Sequence, residues 1–401
     1  MTPATHRQSS AELRRARLLV VDAWGHLRHE SHDRFVNLLR RGDLVVANDA
    51  ATLPASLHGT HLRTGQPIEV RLAGRHSLEA DDVTQFAAVL FGAGDFHTPT
   101  EHRPLPPELA SGDRLMLGPL AATVVATLGH PRLAVVRFEG SPDEIWAGLA
   151  RHGRPIQYAH IDRPLAMWDV WTSIAGRPVA FEAPSASFVL DWRMLNAIRA
   201  RGVEFATITH AAGISSTGDE ALDARLPFDE PFDISAAAAQ AITRAQSRGR
   251  RIIAVGTTVV RALESAAGPL GGVEPGPGTA IERFGPLTAL RVVDAILTGV
   301  HEPGTSHYEL LRAFTDEATL QSAHGHLRAR DYRTHEFGDF MFIEKAIDVA
   351  SGFSRTMKAR DVVSGFSRTR TMGERLAVGF ELVEPELVQS GTGVGLPADQ
   401  P

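Results

Sequence analysis

A chain of 401 residues, 43% hydrophobic and 22% charged, has core material for two domains or one large one. The absence of cysteine excludes disulfides, thiolate zinc sites and a thiol nucleophile, and suits a cytoplasmic protein. No apolar run approaches a membrane span, the Arg-containing start is no secretory signal, and a net charge of -6 exerts no global pull on nucleic acid, so an RNA partner needs a local basic patch.

In chain order, residues 1–16 read as a frayed polar start. LLVVDA (18–23) predicts a strand and W-G-H (24–26) a turn. Residues 33–40 predict a short helix with Phe35, Leu38 and Leu39 inward and Gly42 as its stop. DLVVAND (43–49) is a second strand, ending on Asn48 and Asp49. From about 58 to 140, short alternating segments such as PIEVRLAG, QFAAVLFG and LAVVRFEG lie between Gly, Pro and charged clusters, which predicts a small all-β barrel. A short helix over 143–151 leads back to the first domain, and 154–158 is extended or a turn.

The α/β pattern then resumes. FEAPSASF (181–188) reads as a loop, and Phe188, Trp192, Leu195 and Ile198 mark a helix stopped by Gly202. VEFATITH (203–210) is a strand ending on His210, 226–235 is extended, and Ser235 caps an Ala-rich helix reaching about Ser247. RRIIAVG (250–256) is a buried strand, after which Gly256 turns the chain and Thr257 or Thr258 caps a helix. On that helix Val259, Leu263 and Ala266 share one face, and Arg261, Glu264 and Ser265 another. The glycine- and proline-rich stretch 271–278 is a flexible connection. Residues 291–314 give a strand or buried run, a loop over 298–306 and a helix, and EFGDFMFI (336–343) gives a last strand. VASGFSRT (349–356) recurs as VVSGFSRT (362–369), so 348–401 reads as a low-complexity appendage outside the fold. The expected organisation is a discontinuous α/β domain, 1–57 and 150–347, with a β-barrel domain, 58–149, inserted.

Several predicted strands end on polar groups: Asn48 and Asp49, His210, Thr257 and Thr258, and the 298–301 loop. In open α/β sheets ligands sit outside the carboxyl ends of the strands, so a composite pocket is expected there. His301-Glu302 is followed by Pro303, which prevents the helical placement of two His ligands, so no metal site is expected. The 271–278 stretch lacks a following Lys-Ser/Thr and is no P-loop, and no G-x-S-x-G elbow occurs. Glu230 reads equally as a carboxylate of raised pKa or as a solvated loop acid.

AVGTTVVRALESA (254–266), RLLVVD (17–22), GDLVVAND (42–49), LTGVHEP (297–303), YRTHEFGD (332–339) and FDEPF (228–232) together resemble the S-adenosylmethionine:tRNA ribosyltransferase-isomerase family of queuosine biosynthesis, over about Leu18 to Ile343. The resemblance implies an α/β domain with an inserted barrel, S-adenosylmethionine as co-substrate, tRNA as partner, and no metal. It implies that the aminomethyl group of a deazaguanine base in tRNA attacks the ribosyl unit of S-adenosylmethionine, releasing adenine and methionine. Gly256, Thr257, Thr258 and Arg261 would hold the donor, with Arg261 on the methionine carboxylate and Glu264 in the same block. His210 and Glu230 would move a proton, and Asn48, Asp49 and His301 would line the pocket. The chain departs from the family pattern at Asn48-Asp49-Ala50-Ala51, at 183–190 and at 210–216. A small nucleoside-like acceptor, or a decayed paralogue that only binds nucleoside or RNA, are the other readings of the same residues.

Overall fold

The computed structural model describes residues 16–347 except Asp162, His335 and Glu336. The expected polar start (but for Ala16) and the repeat-bearing tail lie outside the described residues.

Among the described residues the main sheet has nine strands, in the order Gly276–Ala280, Glu230–Ile234, Glu204–His210, Leu44–Asn48, Ile252–Val255, Ala295–Gly299, Phe340–Glu344, Arg17–Val21 and Leu27–Ser31. Its centre is parallel: Glu204–His210, Leu44–Asn48, Ile252–Val255 and Ala295–Gly299 all run the same way. The flanks are mixed, because Glu230–Ile234, Phe340–Glu344 and Leu27–Ser31 each pair antiparallel with a neighbour. The central strands are apolar throughout because both faces are covered. Leu44, Val46, Ile252, Ala254 and Ile296 join one core, and Val45, Ala47, Ile253, Val255 and Leu297 join the other.

The barrel is closed and has six strands, Ser56–His61, Gln66–Gly74, Gln85–Phe91, Arg114–Leu117, Leu120–His130 and Leu133–Phe138. Leu57, Val70, Leu72, Phe86, Leu115 and Val136 fill its interior. The helix Pro142–His152 covers one end with Ile145 and Leu149, and Ser141 and Glu144 cap it reciprocally. Closure is tight at Gly59, where a Cβ would lie 2.0 Å from the Met116 carbonyl oxygen.

Three local expectations are corrected, and one strand forms where no element was expected. Leu27–Ser31 is a strand because its backbone pairs with Arg17–Val21 at the sheet edge, although LRHES has no apolar alternation. The end of the stretch 271–278, expected to be a flexible connection, belongs to the opposite edge strand Gly276–Ala280. There proline is tolerated, and Gly278 lets the Phe232 ring lie where a Cβ would meet it at 2.4 Å. Trp192 opens its helix at 67% exposure, while Met194, Leu195 and Ile198 turn inward. Neither Thr257 nor Thr258 caps the helix Thr257–Ser265: both lie inside its first turn, and Gly256 is the cap residue at φ +95°.

Candidate active site

The parallel register brings the carboxyl ends of the central strands to one edge, with Ile208 opposite Asn48, and Val255 opposite Ala47 and Leu297. Just beyond, Gly256 donates its N–H to the Leu297 carbonyl at 2.8 Å and starts the helix. The short helical turn Ser185–Val189 packs over it, so that a Cβ on Gly256 would lie 3.6 Å from the Ala186 Cβ. The backbone N–H groups of a helix start therefore face the same edge as the strand ends.

Asn48 is fully buried and holds the next strand. Its amide donates to the His210 carbonyl at 2.9 Å, and its oxygen accepts from the His210 N–H at 3.0 Å and the Ala50 N–H at 3.0 Å. Asp49 accepts from the Thr209 hydroxyl at 2.7 Å. These contacts fix the His210 backbone, and its ring, which has no solvent exposure, lies 3.4 Å from the Glu230 carboxylate. Glu230 also accepts the Gly213 N–H at 2.6 Å and forms a buried ion pair with Arg261. Of the two readings open for Glu230, the solvated loop acid is ruled out, since the residue is 6% exposed. Its neighbour Asp229 is the carboxyl that burial pushes up, against the pull of Arg261.

Arg261 does not present an open fork to solvent. Besides Glu230, its guanidinium donates to the Ala280 carbonyl at 2.8 Å and the Phe228 carbonyl at 3.4 Å. Burial lowers its pKa to about 10. Glu264 is not its partner on the helix, because the Glu264 carboxylate turns to the chain below and accepts from the Arg291, Val292 and Val293 N–H groups at 2.8–2.9 Å. His301 bonds Thr298 at 2.7 Å and lies edge-on to His307, ring centroids 4.8 Å apart. Burial, and then the Arg261 charge, push the His307 pKa down to about 4.

Sequence reasoning passed over the barrel-facing wall. The Tyr158 hydroxyl donates to Glu182, which is 9% exposed, and the Arg71 guanidinium lies 5.6 Å from the Tyr158 ring centroid. Phe188 stacks on Phe337 at 4.9 Å. Tyr158, Glu182, Ala183 and Phe337 enclose a cavity of about 20 Å³. A wider one of about 400 Å³ opens at the opposite edge, at the amino ends of the central strands, among Arg41, Glu204, Arg244, Arg248 and Arg250. Among the described residues no group of three or more His, Asp or Glu could hold a metal ion, and no helix is long and apolar enough to cross a membrane.

His210 carries a pH signature. Burial, reinforced by the Arg261 charge, holds its pKa well below the usual imidazole range, and Glu230 does not reverse this because Arg261 already neutralises that carboxylate. The native state then refuses a proton that the unfolded chain takes up below pH ~6.5. Stability should therefore fall on acidification below about pH 6.5, by up to ~1.4 kcal/mol per pH unit from this residue. Urea unfolding of wild type and His210→Gln between pH 7.5 and 5.5 measures it: the variant should show the shallower fall, and parallel pH dependences would contradict the assignment.

The fold is that of a mixed α/β protein with a closed β-barrel inserted after an early strand and buried polar residues at the carboxyl edge of its sheet. A family model described as queuosine biosynthesis protein matches residues 2–343, and the chain belongs to that family. A protein of Thermosynechococcus vestitus named S-adenosylmethionine:tRNA ribosyltransferase-isomerase is 32% identical over 335 residues, spanning 82% of this chain and 89% of its own. One of the same name from Gloeobacter violaceus is 33% identical over 345 residues, 84% and 91% of the two chains. The crystal structure of S-adenosylmethionine tRNA ribosyltransferase from Thermotoga maritima aligns with a TM-score of 0.44 at 21% identity, covering 82% of this chain and 93% of that one.

Proposed function

We propose that this chain transfers the ribosyl unit of S-adenosylmethionine to a 7-aminomethyl-7-deazaguanine base in tRNA, releasing adenine and methionine and leaving an epoxy-cyclopentanediol on the base. The observation that carries this reading is the GTT-x-x-R block, whose glycine opens a helix where the central parallel strand ends converge, beside the buried His210, Glu230 and Arg261. The relatives' names supply the donor and the acceptor class.

In this reading the helix start at Gly256, Thr257 and Thr258 holds the donor, and Asn48, Asp49 and His301 line the pocket. The amine must lose a proton to attack, and the Glu230 carboxylate is the acceptor, with the neutral His210 ring beside it. Arg261 is a positioning residue that fixes Glu230, and Glu264 supports the helix from below. The cavity under Tyr158 has room for about one water. No resident metal enters the scheme, and the cytoplasm is the matching compartment.

The test is adenine release from S-adenosylmethionine by the full chain, with and without tRNA bearing the precursor base. Release that depends on that tRNA is expected, and Glu230→Gln should lower the rate by roughly 10²–10⁴-fold. Release without RNA would support a small acceptor instead, and no release from folded protein would overturn the enzymatic reading.

A further inference from the structure

Three parallel strands begin side by side at the amino edge of the sheet, away from the candidate active site. They are Glu204–His210, Leu44–Asn48 and Ile252–Val255, with Leu44 level with both Glu204 and Ile252. The turns that feed them are laced together through the backbone. Gly42 donates its N–H to the Gly202 carbonyl at 2.8 Å, Glu204 to the Asp43 carbonyl at 2.9 Å, and Leu44 to the Arg251 carbonyl at 2.9 Å. Arg41 and Arg250 come from two of these turns, and Arg244 and Arg248 from the end of the helix Ala236–Ser247. All four line the cavity of about 400 Å³, and Glu204 is its one acid.

Two of the four are accounted for locally. Arg244 and Arg248 sit where a cation offsets the helix dipole, and they reach Glu204 at 3.3 and 4.0 Å. Arg41 and Arg250 are not accounted for: among the described residues neither guanidinium has an ion pair or a hydrogen-bond partner. The other acids of this edge are already taken, since Asp43 and Glu344 hold Arg251, and Glu344 also faces Arg40 at 3.6 Å. Both unpaired arginines are nonetheless seated. A Cβ on Gly42 would lie 3.0 Å from the Arg250 Nε, and one on Gly202 3.2 Å from the Arg41 Cγ, so each side chain lies across a glycine.

The lining selects the ligand. Four positive charges meet one negative charge in a concave wall, within a chain of net charge -6, and such a wall focuses a positive field. No aromatic ring lines it and Ala245 is its only apolar side chain, so nothing there grips a base or a hydrocarbon. Guanidinium forks pair phosphate oxygens two at a time, and a single carboxylate would leave most of this charge unanswered.

We propose that this cavity binds an anion of two or more linked phosphate groups, held chiefly by Arg41 and Arg250. A free oligophosphate and the backbone of RNA share that chemistry. The site stands on its own geometry and does not depend on the ribosyl-transfer reading. The experiment uses the full chain as wild type, the double variant Arg41→Ala/Arg250→Ala, Arg250→Lys and Glu204→Gln. Inorganic pyrophosphate is titrated by calorimetry, and bulk tRNA is followed by filter binding over about 50–200 mM salt. Pyrophosphate should bind the double variant at least roughly tenfold more weakly than wild type, the scale of losing hydrogen bonds to charged groups. Arg250→Lys should fall between, because it keeps the charge and loses the fork. Glu204→Gln should bind pyrophosphate more tightly, because it releases Arg244 and Arg248; a fold defect would not do that. Urea midpoints should match wild type, since all three altered side chains are exposed. A fall in tRNA affinity for the double variant, with a salt slope reduced by roughly 1–2, would assign the phosphates to RNA. Weakened pyrophosphate binding with unchanged tRNA affinity would assign them to a free oligophosphate. If the double variant weakens the binding of neither probe, the site is overturned.

Discussion

Arg261→Ala should lose about 3–5 kcal/mol of folding stability, the scale for breaking one side of a buried ion pair. The guanidinium is 5% exposed and meets Glu230, Ala280 and Phe228, three points on the two outer strands and the loop leading to them. Its removal leaves the Glu230 charge buried with one backbone N–H and a neutral imidazole for company, and leaves the Ala280 carbonyl without that donor. Arg261→Lys keeps the charge but cannot reach Glu230 and Ala280 with separate nitrogens of one planar group, so it should recover only part. Urea unfolding at pH 7.5 reads the difference, with circular dichroism to confirm the folded baseline. A loss below ~1 kcal/mol for Arg261→Ala would mean that water replaces the guanidinium and that the cluster is not closed. If Arg261 acts by fixing Glu230, Arg261→Lys should also lower turnover more than it raises the Kd for S-adenosylmethionine.

Glu264→Ala should be at least as costly, at about 3–6 kcal/mol. The carboxylate is 1% exposed and receives three consecutive N–H groups, from Arg291, Val292 and Val293. Each buried donor left without an acceptor costs about 1–3 kcal/mol. Glu264→Gln should lose roughly half as much, because its carbonyl oxygen can still serve Val292 and Val293 while its NH₂ faces the Arg291 N–H donor. The loss is read from urea midpoints, and hydrogen exchange at the 291–293 amides locates it. Protected amides together with an unchanged midpoint would show that another group takes over the acceptor's place. The segment held by Glu264 leads into the strand Ala295–Gly299, so the substitution should also loosen Thr298 and His301 at the far end.

How the motif residues divide was not legible in one dimension. RLLVVD and YRTHEFGD look like two separate signatures, yet Asp339 accepts the Arg17 N–H at 2.8 Å, its Nε at 3.1 Å and the Arg333 N–H at 2.9 Å, while Arg17 stacks over Tyr332 at 4.1 Å. They form one clamp between adjacent parallel strands. Glu264 is likewise a clamp inside the block that reads most like a ligand site. Spacing along a helix could not reveal that Arg261 and Glu264 point to different partners, since each partner comes from another segment of the chain.

By itself the sequence determined the local and periodic features. Apolar β-branched runs made 44–48, 204–210, 252–255 and 295–299 strands, short alternating segments made the barrel, and Ser235 capped its helix. These follow from side-chain periodicity and backbone hydrogen bonding over a few residues, which neighbouring residues already fix. Only the tertiary structure decided the edge strands at 27–31 and 276–280, whose backbones pair with partners that no local pattern names. It also decided the burial of Glu230 against Arg261 and the exposure of Trp168, Trp171 and Trp192. Burial and charge pairing depend on which distant segments meet, and that is settled only when the strands take their order in the sheet.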